Sequence, residues 1–240
     1  MAGRSKRVVL VGLAVLMALA FAGLGVWQVQ RLAWKTDLIE QVRTRSHATP
    51  VPAPVIAGPD DAYRAVSVAG VFRHDHEALV QAVTDLGPGY WVMTPLETGQ
   101  GFTVLINRGF VPSAVVTDGT GRWSRPPGPV SVSGLIRLSE PKGGFLRTND
   151  PSADRWFSRD VTAIARAKTL TGPVAPYFID AAARPGAGPG ADWPRGGLTV
   201  VRFANNHLIY ALTWFGLALM ALFAAWRVLR ERSRPVPDAR

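Results

Sequence analysis

VVLVGLAVLMALAFAGLGVWQV, residues 8–29, and LIYALTWFGLALMALFAAWRVL, residues 208–229, decide the fold. No acidic or basic side chain interrupts either stretch until Arg227, in the last turn of the second. At about 1.5 Å per helical residue, about 20 residues cover a hydrocarbon layer of about 30 Å, so each stretch is long enough to span. Gln30 to His207 lies between them, polar and long enough for one folded domain with its own core. The chain reads as a membrane hairpin. A basic tail (1–7) leads into a first transmembrane helix (8–29), an exported domain (30–207), a second transmembrane helix (208–229) and a second basic tail (230–240).

Arg4, Lys6 and Arg7 also resemble the basic end of a signal peptide, with Ala20-Phe21-Ala22 as a small-residue cleavage site. The apolar run exceeds the usual signal core, which favours an uncleaved anchor. The two tails, together with Arg227, carry eight basic residues against two acidic ones. A large domain crosses a membrane whatever its charge, so the short tails set the orientation and are expected in the cytoplasm. With no long Arg/Ser-rich segment before Val8, a bacterial inner membrane with a periplasmic domain is the expected setting.

The chain has no cysteine, which excludes disulfides, thiolate metal sites and cysteine nucleophiles. Its net charge of +10 resides mostly in the tails, where it suits anionic lipid headgroups. The loop arginines are interspersed with Asp and Glu, a pattern that does not point to nucleic acid.

After the first span, Leu32, Leu38 or Ile39, and Val42 keep helical spacing, so the helix continues until Thr49-Pro50-Val51-Pro52. From there the period becomes two. Strands are expected over residues 65–72, 77–83, 90–96, 102–111, 130–138, 176–180 and 198–203, bounded by turns rich in Gly and Pro. One helix, Asp160 to Lys168, has Asp160 as its N-cap. The expected fold is an α+β domain, antiparallel and barrel- or sandwich-like. Arg184–Gly197, with five glycines and three prolines, reads as a mobile loop without a core function.

His74-Asp75-His76 is a metal candidate without a third ligand nearby, and also reads as a solvated hairpin turn. The Gly-x-Ser-x-Gly nucleophile motif is absent. His207 stands at the outer mouth of the second span, with Tyr210 and Trp214 at i+3 and i+7. Trp27, Arg31 and Trp34 recur at i, i+4 and i+7 at the matching depth of the first span. Imidazole, guanidinium and aromatic rings at one level suit a flat amphiphilic cofactor such as haem, with His207 on the iron and Arg31 at an acidic edge. An interfacial aromatic belt accounts for the Trp and Tyr equally well, and for the imidazole less well.

Gly23-Leu24-Gly25-Val26-Trp27-Gln28-Val29-Gln30-Arg31 with Trp34-Lys35 resembles the opening signature of the surfeit locus family of cytochrome c oxidase assembly factors. Further blocks match in order: Asn107–Pro112, Asn149-Asp150-Pro151 with Trp156-Phe157, Pro176–Asp180, and Asn206–Tyr210 with Thr213-Trp214-Phe215. The resemblance runs from about Gly23 to Trp226, and Thr117–Pro129 and Arg184–Gly197 match no block. It implies no enzyme activity but help with haem a delivery to subunit I of an aa3-type oxidase. Haem a synthase is then a further expected partner, and lipid surrounds the spans. His207, matching the family's second-span histidine, is implied as the haem iron ligand, while Tyr210, Trp214, Trp27 and Arg31 join it by their spacing. The alternative is a membrane-anchored scaffold that docks oxidase subunits and binds no haem itself.

Overall fold

The computed structural model describes residues 2–117, 123–141, 143–144, 147–183, 193–199 and 205–230. In chain order these form α1 (Ala2–His47), β1 (Val51–Pro52), β2 (Ala65–Phe72), β3 (Ala78–Thr84), β4 (Gly87–Thr98), β5 (Thr103–Pro112), α2 (Ser113–Thr117), β6 (Pro129–Leu138), α3 (Val161–Ala167), β7 (Val174–Ala181) and α4 (His207–Arg230). Two compact units result: residues 1–41 with 202–240, and residues 42–201.

Both long helices are long and apolar enough to cross a membrane. α1, at 46 residues, extends about 70 Å, well beyond one hydrocarbon thickness. It ends where prolines begin, because each lacks an N–H and forces its predecessor into an extended conformation. Ser46 Oγ and His47 Nδ1 donate to the Arg43 carbonyl at 3.0 and 2.9 Å, satisfying an acceptor in the last turn.

Val8, Leu16, Leu19, Leu212, Leu219 and Phe223 stand outward from the helical unit. Apolar surface on that scale suits hydrocarbon rather than water. A different stripe is shielded. On α1 it runs Val11, Ala14, Ala18, Phe21, Gly25, Gln28, Leu32, Lys35 and Ile39; on α4 it runs His207, Ala211, Trp214, Ala218, Ala221, Ala225 and Val228. Steps of three and four alternate without a break, the 3.5-residue repeat that keeps a seam on one side of a helix. The pairing is antiparallel, with Phe21 stacked on Trp214 (ring centroids 5.7 Å apart) and Gln28 against His207. Small residues let the helices approach where no hydrophobic force drives them together. A Cβ on Gly25 would lie 2.6 Å from the Phe215 ring, so glycine leaves room for that ring.

In the second unit the strands run β2–β6–β7–β5–β4, and β4 pairs back onto β2 through Leu96–Thr98 against Gly70–Phe72. The result is a closed five-stranded barrel, with β1 added on β2 and β3 added on β4. Closure pairs the strand edges that would otherwise be exposed. Val66, Val68, Leu96, Val104, Ile106, Ile136, Tyr177 and Ile179, drawn from all five barrel strands, fill one core. The alternate residues Leu105 and Phe178 turn the other way. They meet Ala78, Val80, Met93, Trp156 and the α3 residues Val161 and Ile164 in a second core. With a core on each face, β5 is buried from Thr103 to Val111, which explains its nearly continuous apolar run.

Six of the seven expected strands form, and the barrel resolves the choice between barrel and sandwich. Asp160 caps α3 as expected, accepting from Ala163 N at 3.0 Å. Four details differ. β5 pairs parallel with β7, because the intervening chain through β6 and α3 supplies the long crossover a parallel pair requires. The His74–His76 turn joins β2 to β3, which are not hairpin partners but pair separately with β4. Leu198 and Thr199 are not in a strand, and the rest of that expected strand, residues 200–203, lies outside the described residues. Lastly, Trp193–Gly197 has a packing role after all, while residues 184–192 of the same expected loop lie outside the described residues. Phe110 N donates to Arg195 O at 2.9 Å, Arg195 N to Phe110 O at 3.0 Å, and the Trp193 ring meets Phe110 edge-on. Gly109 makes this approach possible: its φ is +126°, and a Cβ there would collide with the Arg195 backbone.

Candidate functional site

His207 opens α4 directly after Asn205-Asn206, and two polar contacts tie this end to α1. Asn205 Nδ2 reaches Thr36 Oγ1 at 3.5 Å, and Thr36 Oγ1 donates to Leu32 O at 2.8 Å. Nearer the apolar end, His207 Nδ1 lies 2.7 Å from Gln28 Oε1. An amide oxygen only accepts, so Nδ1 carries a hydrogen, and in the neutral tautomer Nε2 keeps its lone pair. No described residue hydrogen-bonds Nε2. A neutral imidazole with one nitrogen held and the other nitrogen's lone pair available is the donor chemistry that haem iron takes. The donor set therefore fits a haem.

The other expected site residues lie in the same helical unit on different sides. Trp214 is on the seam, stacked on Phe21, one heptad along from His207. Tyr210 is exposed, its N–H donating to Asn206 O. Trp27 and Arg31 sit one step round α1 from the seam, Trp27 at 54% exposure. The Arg31 guanidinium lies 4.1 Å over the Trp34 ring, a cation–π contact within α1. Gln28 was missed as a site residue. The signal for it is a lone amide on a stripe that is otherwise small or apolar from Val11 to Leu32.

The two histidines of the His74-Asp75-His76 turn are engaged separately. His74 Nε2 donates to Pro126 O at 3.1 Å and its ring packs on Phe72, while His76 Nδ1 lies 2.9 Å from Asp75 Oδ2. The Arg73 guanidinium, then His76, hold the Asp75 carboxyl well below the usual carboxylate range. Among the described residues no three His, Cys, Asp or Glu side chains gather into a metal site.

Two buried carboxylates anchor the barrel instead. Asp180 accepts from Asn107 Nδ2 (2.7 Å), Arg137 (2.9 Å), Thr199 (2.9 Å) and Arg159 (3.3 Å). Arg159 also grips Glu140 through two nitrogens, at 3.0 and 2.6 Å. A pocket of about 200 Å³ opens beside this cluster, next to Trp91. Two arginines against two carboxylates balance, so the network locks strands together rather than seeking a charged ligand. Glu77 accepts from Thr94 and the Trp123 indole at 3.0 Å, and from Arg125 at 3.2 Å. Those bonds fasten the segment around Trp123 to the barrel.

The SURF1 family profile matches residues 15–219. Surfeit locus protein 1 of Homo sapiens is 38% identical over 217 residues, covering 82% of this chain and 69% of the human protein. The Rattus norvegicus protein of the same name is 35% identical, covering 88% of this chain and 72% of its own length. A SURF1-like protein of Monosiga brevicollis is 31% identical, covering 88% and 83%. The match takes in α1 from residue 15, the whole barrel and the first half of α4, and the chain belongs to the SURF1 family.

Proposed function

We propose that this protein is a non-enzymatic assembly factor for an aa3-type cytochrome c oxidase, taking up haem a at His207 and passing it to subunit I. Family membership supports the assembly role. The observation that carries the haem step is the His207 imidazole, fixed through Nδ1 by Gln28 with the Nε2 lone pair available at the end of an apolar helix pair. Haem a arrives as cargo, with haem a synthase as its source. His207 would hold the iron, the apolar helix sides would receive the macrocycle, and Trp27, Tyr210 and Trp214 would offer flat aromatic surface. Arg31 would face the acidic edge, since a guanidinium pairs with carboxylates. The basic tails favour cytoplasmic termini in a bacterial inner membrane, with the barrel in the periplasm.

Membranes of a deletion strain test the role. The expected result is a lowered haem a content and lowered aa3 oxidase activity, with other respiration maintained. Full oxidase levels would overturn the proposal.

A further inference from the structure

Gln28 is 8% exposed, on the seam between Phe21 and Gly25 on one side and Leu32 on the other. A buried side-chain amide in apolar surroundings is unfavourable unless it is hydrogen-bonded. Its partner is a single atom, Nδ1 of His207, on the facing helix. The contact does two things to the imidazole. It fixes the tautomer, because Oε1 can only accept, and it fixes the ring plane, because Nδ1 cannot turn away without stranding the amide. A metal-bound histidine depends on such a partner for its orientation and its basicity.

We propose that Gln28 is a positioning residue which presents Nε2 of His207 to haem iron and sets the donor strength of that nitrogen. The inference rests on the reading of His207 as the iron ligand. A purely structural polar pair would hold the helices in register but would leave the iron–nitrogen bond unaffected. Positioning changes that bond.

Glutamate at position 28 keeps the shape and strengthens the acceptor, pulling the Nδ1 hydrogen and making Nε2 a stronger donor. Methionine keeps the shape and removes the acceptor. Wild type, Gln28→Glu, Gln28→Met and His207→Ala are purified as full chains in detergent and loaded with haem b as the probe. Three quantities are read: affinity, the iron–histidine stretching band of the ferrous form by resonance Raman, and the midpoint potential. Gln28→Met should weaken binding about 10–100-fold and lower the stretching frequency. Gln28→Glu should raise the frequency and lower the potential. If both variants match wild type in band, potential and affinity while His207→Ala loses the band, the positioning role is overturned and the ligand role stands. If His207→Ala keeps the band, or wild type binds no haem, the ligand reading itself fails.

Discussion

Asn107 and Asp180 face each other across the parallel pair of β5 and β7, the Asn107 amide donating to Asp180 Oδ1 at 2.7 Å. The same asparagine turns its oxygen to Gly109 N at 3.1 Å. One side chain thus joins the parallel β5–β7 ladder of the closed barrel to the glycine where Arg195 approaches. Two sequence blocks far apart in the chain meet at this point.

Asp180→Ala leaves Arg137, Arg159 and Asn107 without their shared acceptor inside the barrel wall. Breaking a buried ion pair from one side costs about 3–5 kcal/mol, and a fall of that order is expected in denaturant unfolding of the full chain. Arg155→Ala, which removes the exposed Arg155–Asp150 pair, should leave the midpoint where it was. Equal effects from the two variants would contradict the account of the network.

Gly109→Ala forces a side chain into a left-handed backbone against the Arg195 carbonyl. The backbone term alone costs about 1–3 kcal/mol. The strap Trp193–Gly197 should detach from Phe110 and become a preferred cleavage site in limited proteolysis. An unchanged cleavage pattern would show that the contact is dispensable.

Tyr177 donates to the Pro54 carbonyl inside the barrel, and burial, then the nearby Asp61 charge, push its phenol up to about 12. The unfolded chain ionises near 10, so the native state binds more protons between these values. Its contribution is complete below pH 10 and is lost as pH rises through 12. Unfolding midpoints measured from pH 9 to 12 should fall for wild type, with a shallower slope for Tyr177→Phe. Parallel slopes would remove Tyr177 as the cause.

A phosphatase reporter that is active only in the periplasm tests orientation. Fused after Gln100, in the exposed turn between β4 and β5, it should be active; fused after Arg240, it should be silent. The reverse pattern would invert the hairpin.

Much of this was legible from residue order. The spans announce themselves by composition, and the prolines after Thr49 mark the end of α1. Alternation places β2 and β6, and Asp160 marks α3. The helix seam was not legible, because both helices are apolar all round and hydropathy carries no contrast between the inner and outer sides. It shows instead as a 3.5-residue repeat that carries Ala14, Ala18 and Gly25 together with Gln28. Spacing alone drew attention to Trp27 and Arg31, one step away. The partners of Asp180 were also invisible, since strand pairing, not sequence distance, brings Asn107, Arg137, Arg159 and Thr199 around it. The packing of Trp193 and Arg195 was masked by the glycines and prolines around them, which read as loop even where the backbone pairs with Phe110.

The central claim is that His207 holds haem iron, and the absorption spectrum of the protein purified from cells making haem a tests it most directly. Wild type should carry a Soret band. His207→Ala should lose most of it while staying folded and membrane-inserted, since the side chain lies at a helix end. His74→Ala and His76→Ala should keep it, because both rings are engaged in the turn between β2 and β3. A Soret band of full intensity in the His207 variant, or a wild-type protein that never carries haem, would contradict the account and leave a scaffold that docks subunits.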